Sequence, residues 1–331
     1  MLRVAINGFG RIGRMVFKAG YKDRNIEFVA FNDLTDTKTL AYLLKYDTVY
    51  GRFNANIEAK SNSLVIDGKE YIVLSEKEPE KLPWKKLNVD VVVESTGFFR
   101  TRELASKHLK AGARKVILSA PFKGNEYVKT IVRGVNENTL DKNKDDIITN
   151  ASCTTNCLAP MAKVLNDNYG IEKAFMTTIH GYTSSQNLVD SPNKDLRRGR
   201  AAAQNIVITG SGATTAVAET IPELKGKMDG VAFRVPIITG SVIDFVALVK
   251  KNTNREHLNW LFSEVSKYHL KGVLQYTEDP IVSSDVIGNT HSCIFDALST
   301  MVNGNLVKVV GWYDNELGYS NRMIDVIKLF S

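Results

Sequence analysis

Cysteine is scarce in this chain. Three residues in 331, Cys153, Cys157 and Cys293, form an odd set without framework spacing. That excludes a disulfide-stapled secreted fold and points to a reducing compartment. No window approaches the ~18 apolar residues of a membrane helix, so no membrane partner is expected. The chain enters a strand at once, without the basic and apolar regions of a secretory signal, and a cytoplasmic protein is expected. Low-complexity segments and solenoid-period repeats are also missing. The length suffices for two domains, or one large one, with a substantial core.

A strongly concentrated charge is lacking too. The formal net charge of +7 and a pI near 9.1 would admit nucleic acid. However, basic residues are interspersed with acidic ones, and no RNP-like or zinc-finger pattern occurs. The longest cluster is Lys194-Asp195-Leu196-Arg197-Arg198-Gly199-Arg200. Small anionic substrates account for the balance equally well, and specific nucleic-acid binding is not expected.

What is present begins with an apolar strand, Leu2–Asn7, followed at once by Gly8-Phe9-Gly10-Arg11-Ile12-Gly13 and an amphipathic helix. This is G-x-G-x-x-G in its strand–turn–helix setting. Gly8, Gly10 and Gly13 permit a tight turn, close approach to a pyrophosphate, and close helix–strand packing. The helix N-terminus would supply donors to the phosphates. A second strand, Ile26–Asn32, ends in Asp33, twenty residues after the third glycine. Its carboxylate can accept from both ribose hydroxyls and would repel a 2′-phosphate.

Thr37–Tyr46 reads as a helix, and Ser63–Ile66 with Glu70–Leu74 as a hairpin around Asp67-Gly68. Val89–Glu94 is a continuous apolar strand, as a sheet covered on both faces requires. It runs into Ser95-Thr96-Gly97, small residues suited to a cofactor cleft. Helix Arg102–Ala111 and strand Lys115–Ser119 continue the alternation. The class is α/β, with an N-terminal doubly wound parallel sheet whose ligands belong at the carboxyl ends of the strands, where Gly97 and Ser119 lie.

The stretch Asn150–Pro160 carries the most chemical promise. It follows Ile147 and Ile148, a strand end, and leads into a helix with Leu158, Met161, Ala162 and Leu165 on one face. Ser152 is the expected N-cap, which sets Cys153 in the first turn. The helix dipole and the unpaired N–H groups there favour thiolate, and the same groups could hold an oxyanion. A small buried cysteine that only packs is the alternative on residue chemistry alone.

Beyond it the grammar changes. Ala174–Ile179 reads as a strand leading into His180-Gly181-Tyr182-Thr183. Then follow Thr209-Gly210-Ser211-Gly212, a helix near Thr214–Thr220, and long strands at Gly230–Pro236 and Ser241–Lys250. A helix over Asn254–His269 has Leu258, Leu261, Phe262, Val265 and Tyr268 on one face. A turn at Asn303-Gly304 precedes strand Leu306–Trp312, and an amphipathic helix, Glu316–Phe330, closes the chain. Successive strands with few crossover helices make this an α+β domain with a mostly antiparallel sheet. The expected division is 1–150 for dinucleotide binding and 151–315 for substrate, with helix 316–331 packing back onto the first domain.

A thiol nucleophile needs a base. His180, at a strand end beside glycine, is the best placed of the five histidines. His108, His257 and His269 read as helical surface or packing residues, and His291, in a strand-like polar setting, is left open. Cys153 and Cys157 are spaced C-x₃-C with no further ligands near by, so no metal site is expected.

At Ala151–Pro160 the sequence closely resembles the phosphorylating glyceraldehyde-3-phosphate dehydrogenases. The opening Ala5–Arg14, the runs Lys194–Arg198, Pro222–Lys227 and Arg234–Pro236, and Trp312–Glu316 also fit that family in order. The resemblance spans nearly the whole chain. It implies that Cys153 attacks the aldehyde of D-glyceraldehyde 3-phosphate with His180 as base. A hydride then passes to NAD, and inorganic phosphate attacks the resulting thioester to give 1,3-bisphosphoglycerate. By the same resemblance, Thr183 and Arg234 hold the substrate phosphate, and Ser152, Thr154, Arg198, Ser211 and Gly212 line the attacking-phosphate site. Arg11, Ile12, Asp33, Lys77, Ser119 and Asn315 match cofactor positions, and Leu34 and Pro192 match NAD-using members.

Departures from the family pattern are Ser211 for threonine, Gly210, the form of His180–Gln186, Ile237–Gly240 in place of Thr-Pro-Asn-Val, and Lys77 for arginine. A homotetramer is implied by the resemblance. The competing readings are an erythrose-4-phosphate dehydrogenase, which ends in hydrolysis, and a secondary RNA-binding or surface-binding role.

Overall fold

The computed structural model describes residues 1–331. Contacts divide the chain into two compact units. The first comprises residues 1–131, 137–151 and 323–331, and the second residues 132–136 and 152–322.

The first unit is built on a nine-stranded sheet. Strand Leu2–Asn7 lies centrally, parallel to Ile26–Asn32 on one side and to Val91–Glu94 on the other. Parallel pairing continues outwards through Lys115–Leu118, Ile147–Thr149 and Lys129–Thr130. On the opposite flank Lys69–Leu74 is still parallel, and the hairpin to Ser63–Ile66 turns the edge antiparallel. Central strands read as apolar runs because helices cover both faces; Val91, Val92 and Val93 have no exposed surface. Pairing of that strand starts at Val91, two residues later than its apolar pattern suggests.

Helix Arg11–Gly20 buries Met15, Val16 and Phe17. Phe17 meets Phe28, Phe31 and Tyr71 edge-on, and Phe9 stacks on Phe31 at 4.1 Å between centroids. Each such ring contributes about 1.5–3 kcal/mol through burial, so this cluster fixes the Gly8–Gly13 turn above it. The chain's last residues return to the same unit, where Lys328 pairs with Asp23 at 3.1 Å.

The second unit carries an eight-stranded sheet of mixed direction. Ile171–Gly181 runs parallel to Met228–Val235 and antiparallel to Ser241–Val249, which pairs antiparallel with Leu306–Tyr313. Along Ile171–Gly181, Ala174, Met176, Thr178 and His180 point to the buried face. Helix Cys153–Tyr169 contributes Leu158, Met161, Ala162 and Leu165 to the same core.

Some local expectations are corrected here. The strand expected to end before His180 continues through Gly181. Helix Arg255–Lys267 ends before Tyr268 and His269, and Tyr268 is 70% exposed rather than part of the apolar face. His291 lies in a loop, not a strand. No helix is long and apolar enough to cross a membrane.

Candidate active site

In the first unit, the candidate dinucleotide cradle sits at the carboxyl ends of the parallel strands. Gly8 has φ +90°, and a Cβ there would lie 2.7 Å from the Thr96 nitrogen. At Gly13 a Cβ would lie 2.2 Å from the Gly8 carbonyl oxygen. Both positions therefore exclude any side chain. Around Gly10 the space is open, as a site for a phosphate requires. No side chain caps the helix that begins after Gly10, so Arg11, Ile12 and Gly13 begin an uncapped N-terminus. The Arg11 guanidinium pairs with Asp47 at 3.1 Å.

Asp33 accepts from the Phe9 N–H at 2.8 Å and from the Thr35 N–H at 3.0 Å, which ties the acid at the second strand's end to the glycine turn. Ser95 has a buried hydroxyl with no partner. The Ser119 N–H donates to the Glu94 carbonyl at 3.0 Å. Gly97 is exposed, as is Lys77. These residues fit a dinucleotide: close glycine turns, open space at Gly10, an uncapped helix end and an aligned carboxylate.

In the second unit, Ser152 caps the Cys153–Tyr169 helix, its Oγ accepting from the Thr155 N–H at 3.0 Å. Cys153 thus occupies the first turn. Its Sγ lies 3.4 Å from His180 Nε2, so helix end and strand end bring the two residues together. Cys157 and Cys293 are fully buried, whereas Cys153 is partly exposed. No group of three or more His, Cys, Asp or Glu side chains could hold a metal.

The charge balance differs from the expectation built on the helix dipole alone. Burial pushes the Cys153 thiol up from its ordinary value, against the opposing pull of Arg234, the Thr154 hydroxyl and first-turn N–H groups. His180 falls to about 3 through burial and the neighbouring Arg234 charge, against the Gly181 carbonyl. Burial thus opposes the thiolate that the helix N-terminus favours, and it holds the imidazole towards its neutral form.

Arg234 Nη1 lies 2.6 Å from His180 Nδ1, and its Nε is buried without a partner. It faces no carboxylate; burial, with a smaller push from the Arg198 charge, lowers its pKa against the pull of Cys153 and Tyr313. Such a cation is available to an anion. Arg198 Nη1 donates to Ser185 Oγ at 3.0 Å, and Thr183 Oγ1 lies 2.9 Å from the same hydroxyl. Ser211 Oγ accepts from the Ala213 N–H at 3.3 Å, and Gly212 precedes the uncapped helix Ala213–Thr220.

The Thr154 hydroxyl lies 3.0 Å from that of Tyr313, which also lies 2.8 Å from Thr178 Oγ1. Asn315 Oδ1 accepts from Thr239 Oγ1, the Gly240 N–H and Ser241 Oγ, at 3.0, 3.2 and 3.0 Å. The Ile237–Gly240 departure thus supplies two of the donors that hold Asn315. Two contributors escape sequence reasoning: Ser185, which links Thr183 to Arg198, and Tyr313, whose buried ring meets His180 edge-on at 5.9 Å. Nothing in residue type marked Ser185; Tyr313 was visible only inside the Trp312–Glu316 resemblance.

A doubly wound nucleotide unit joined to a unit bearing a cysteine–histidine pair and an arginine beside it defines a dinucleotide-dependent thiol dehydrogenase. Residues 2–102 match the glyceraldehyde 3-phosphate dehydrogenase NAD binding domain, and residues 152–315 match that enzyme's C-terminal domain. The chain is 54% identical over 326 residues to glyceraldehyde-3-phosphate dehydrogenase of Geobacillus stearothermophilus, covering 98% of this chain and 97% of the relative. It is 53% identical over 327 residues to glyceraldehyde-3-phosphate dehydrogenase 2 of Streptomyces avermitilis, with the same coverage. The chain belongs to the glyceraldehyde-3-phosphate dehydrogenase family.

Proposed function

We propose that this protein oxidises D-glyceraldehyde 3-phosphate and captures the acyl group on inorganic phosphate, giving 1,3-bisphosphoglycerate, with NAD as cofactor. The observation that carries the reading is the 3.4 Å approach of Cys153 Sγ to His180 Nε2 beside Arg234, a half-buried arginine whose Nε is buried without a partner. The full-length likeness to dehydrogenases of this name supports the substrate.

For His180 to act as base, Nε2 must present its lone pair to the thiol. The ring proton then sits on Nδ1 and is donated to the Gly181 carbonyl, 2.7 Å away. Arg234, a donor only, reaches Nδ1 at 2.6 Å in the opposite tautomer. Drawing the guanidinium onto the substrate phosphate frees Nδ1 to carry the proton, so binding and base activation are coupled.

As Sγ bonds to the aldehyde carbon, its proton passes to Nε2, and first-turn N–H groups stabilise the alkoxide. Nε2 passes that proton on to the alkoxide oxygen, giving a thiohemiacetal and returning His180 to its neutral form. Bound NAD supplies the hydride acceptor, with Gly8, Gly10, Arg11, Ile12, Gly13, Asp33, Lys77, Ser95, Thr96, Gly97, Ser119 and Asn315 as the residues to hold it. His180 takes the hydroxyl proton as the carbonyl re-forms as a thioester. Phosphate, held by Ser152, Thr154, Arg198, Ser211 and Gly212, attacks that carbon, and Cys153 leaves as thiolate. Thr183 joins Arg234 on the substrate phosphate. Loss of the phosphate-site groups would favour the hydrolytic erythrose-4-phosphate chemistry, and here arginine and hydroxyl are both retained.

Incubation with aldehyde and NAD in phosphate-free buffer should leave an acyl adduct on Cys153, visible by intact-protein and peptide mass spectrometry and discharged by added phosphate. An adduct on another residue would refute the nucleophile.

The same reading extends to a cytoplasmic homotetramer. The outer face of the second sheet exposes Phe175 and Val231, 72% and 38% exposed, with Ile208 beside them. Apolar sheet surface of this kind is normally covered by another subunit. Light scattering should give four times the 36.8 kDa chain mass; a monomer would contradict it.

A further inference from the structure

Beneath the cradle runs a buried polar chain that no step of the reaction uses. Asn7, Asn32 and Glu94 are the last residues of three adjacent parallel strands, in direct register with one another. All three are at least nine-tenths buried, and so are His108 and Trp84. Asn7 Nδ2 donates to Glu94 Oε2 at 2.6 Å, and Asn32 Nδ2 donates to Asn7 Oδ1 at 2.7 Å. Asn32 also clasps the Glu76 backbone, accepting from its N–H at 2.9 Å and donating to its carbonyl at 2.8 Å. Glu94 Oε1 accepts from the Thr96 N–H at 2.8 Å and from the Thr96 hydroxyl.

The residue that follows each member belongs to the cradle: Gly8 after Asn7, Asp33 after Asn32, Lys77 after Glu76, and Ser95 to Gly97 after Glu94. One hydrogen-bonded chain therefore sets four separate cofactor loops. Its far end is anchored by His108. Trp84 Nε1 can only donate, and it meets His108 Nδ1 at 3.0 Å, so Nδ1 accepts and the ring proton sits on Nε2, facing Glu94 at 3.0 Å. The indole thus selects the tautomer that holds the carboxylate.

We propose that Glu94 and His108, with Trp84 behind them, are positioning residues for cofactor binding: they fix Thr96, Gly8, Asp33 and Lys77 in the arrangement that NAD requires. The inference rests on reading these loops as the NAD site. A buried carboxylate that loses one of its donors reorients, and in a connected network the disturbance reaches every member.

The test is NAD affinity by calorimetry and steady-state kinetics on the full chain. His108→Leu and Glu94→Gln should each weaken NAD about tenfold, the effect of one unmet buried hydrogen bond. KM for NAD should rise while kcat at saturating NAD and KM for the aldehyde hold. His108→Gln, whose amide donates to Glu94 and accepts from Trp84 at once, should restore affinity to within about twofold of wild type. Equal losses in the two His108 variants, or wild-type affinity in Glu94→Gln, would overturn the proposal. If His108→Leu does not fold, Glu94→Gln decides alone. Failure of the wild type to bind NAD would instead remove the cofactor reading, and the inference with it.

Discussion

At His180 burial and the Arg234 guanidinium act in the same direction, both disfavouring the imidazolium, and together they bring its pKa to about 3. The unfolded chain binds that proton near pH 6.5 and the folded chain does not. Stability from this group is therefore full above 6.5 and is lost as pH falls from there towards 3. The same suppression keeps the imidazole neutral at neutral pH. Arg234→Leu should let the pKa rise towards 6.5, so the acid limb of kcat/KM moves to higher pH. KM for the aldehyde should rise at least about tenfold, through loss of a charge-assisted phosphate contact. An acid limb left where it was would show that Arg234 does not govern the base. Individual residues were legible where type and neighbourhood agree, as with Cys153 after a capping serine. The thiol's environment was not, because its burial and the approach of Arg234 arise from strands far apart in sequence.

The Cys153–Tyr169 helix owes its start to Ser152, whose hydroxyl takes an otherwise unmet N–H. Ser152→Ala should cost about 1 kcal/mol in chemical denaturation and loosen the first turn that carries the thiol. Unchanged stability would mean that packing of Leu158, Met161 and Leu165 alone sets the helix start. Elements with long, regular patterns were readable, among them this helix, the glycine turn with its flanking strand and helix, and the hairpin at Asp67-Gly68. Their ends were less so. Tyr268 fits the apolar period of Arg255–Lys267 yet lies beyond the last helical turn, where the backbone has already turned away. The strand that carries His180 runs on because Thr178, Ile179, His180 and Gly181 each pair with Met228–Val235, a partner fifty residues distant that no local pattern announces.

Across the whole molecule, the change from alternating strands and helices to successive strands marked two kinds of architecture. The order within the mixed sheet, with two parallel pairings among antiparallel ones, is a long-range property that periodicity does not encode. Function, by contrast, is concentrated in a few residues of each unit, and the proposed chemistry requires that Cys153 make the covalent intermediate that phosphate resolves. The direct measurement is NADH formation from glyceraldehyde 3-phosphate and NAD, with and without inorganic phosphate, in wild type and Cys153→Ser. Phosphate-dependent turnover is expected in the wild type and none in the variant; equal rates in the two proteins, or turnover indifferent to phosphate, would contradict the role of Cys153.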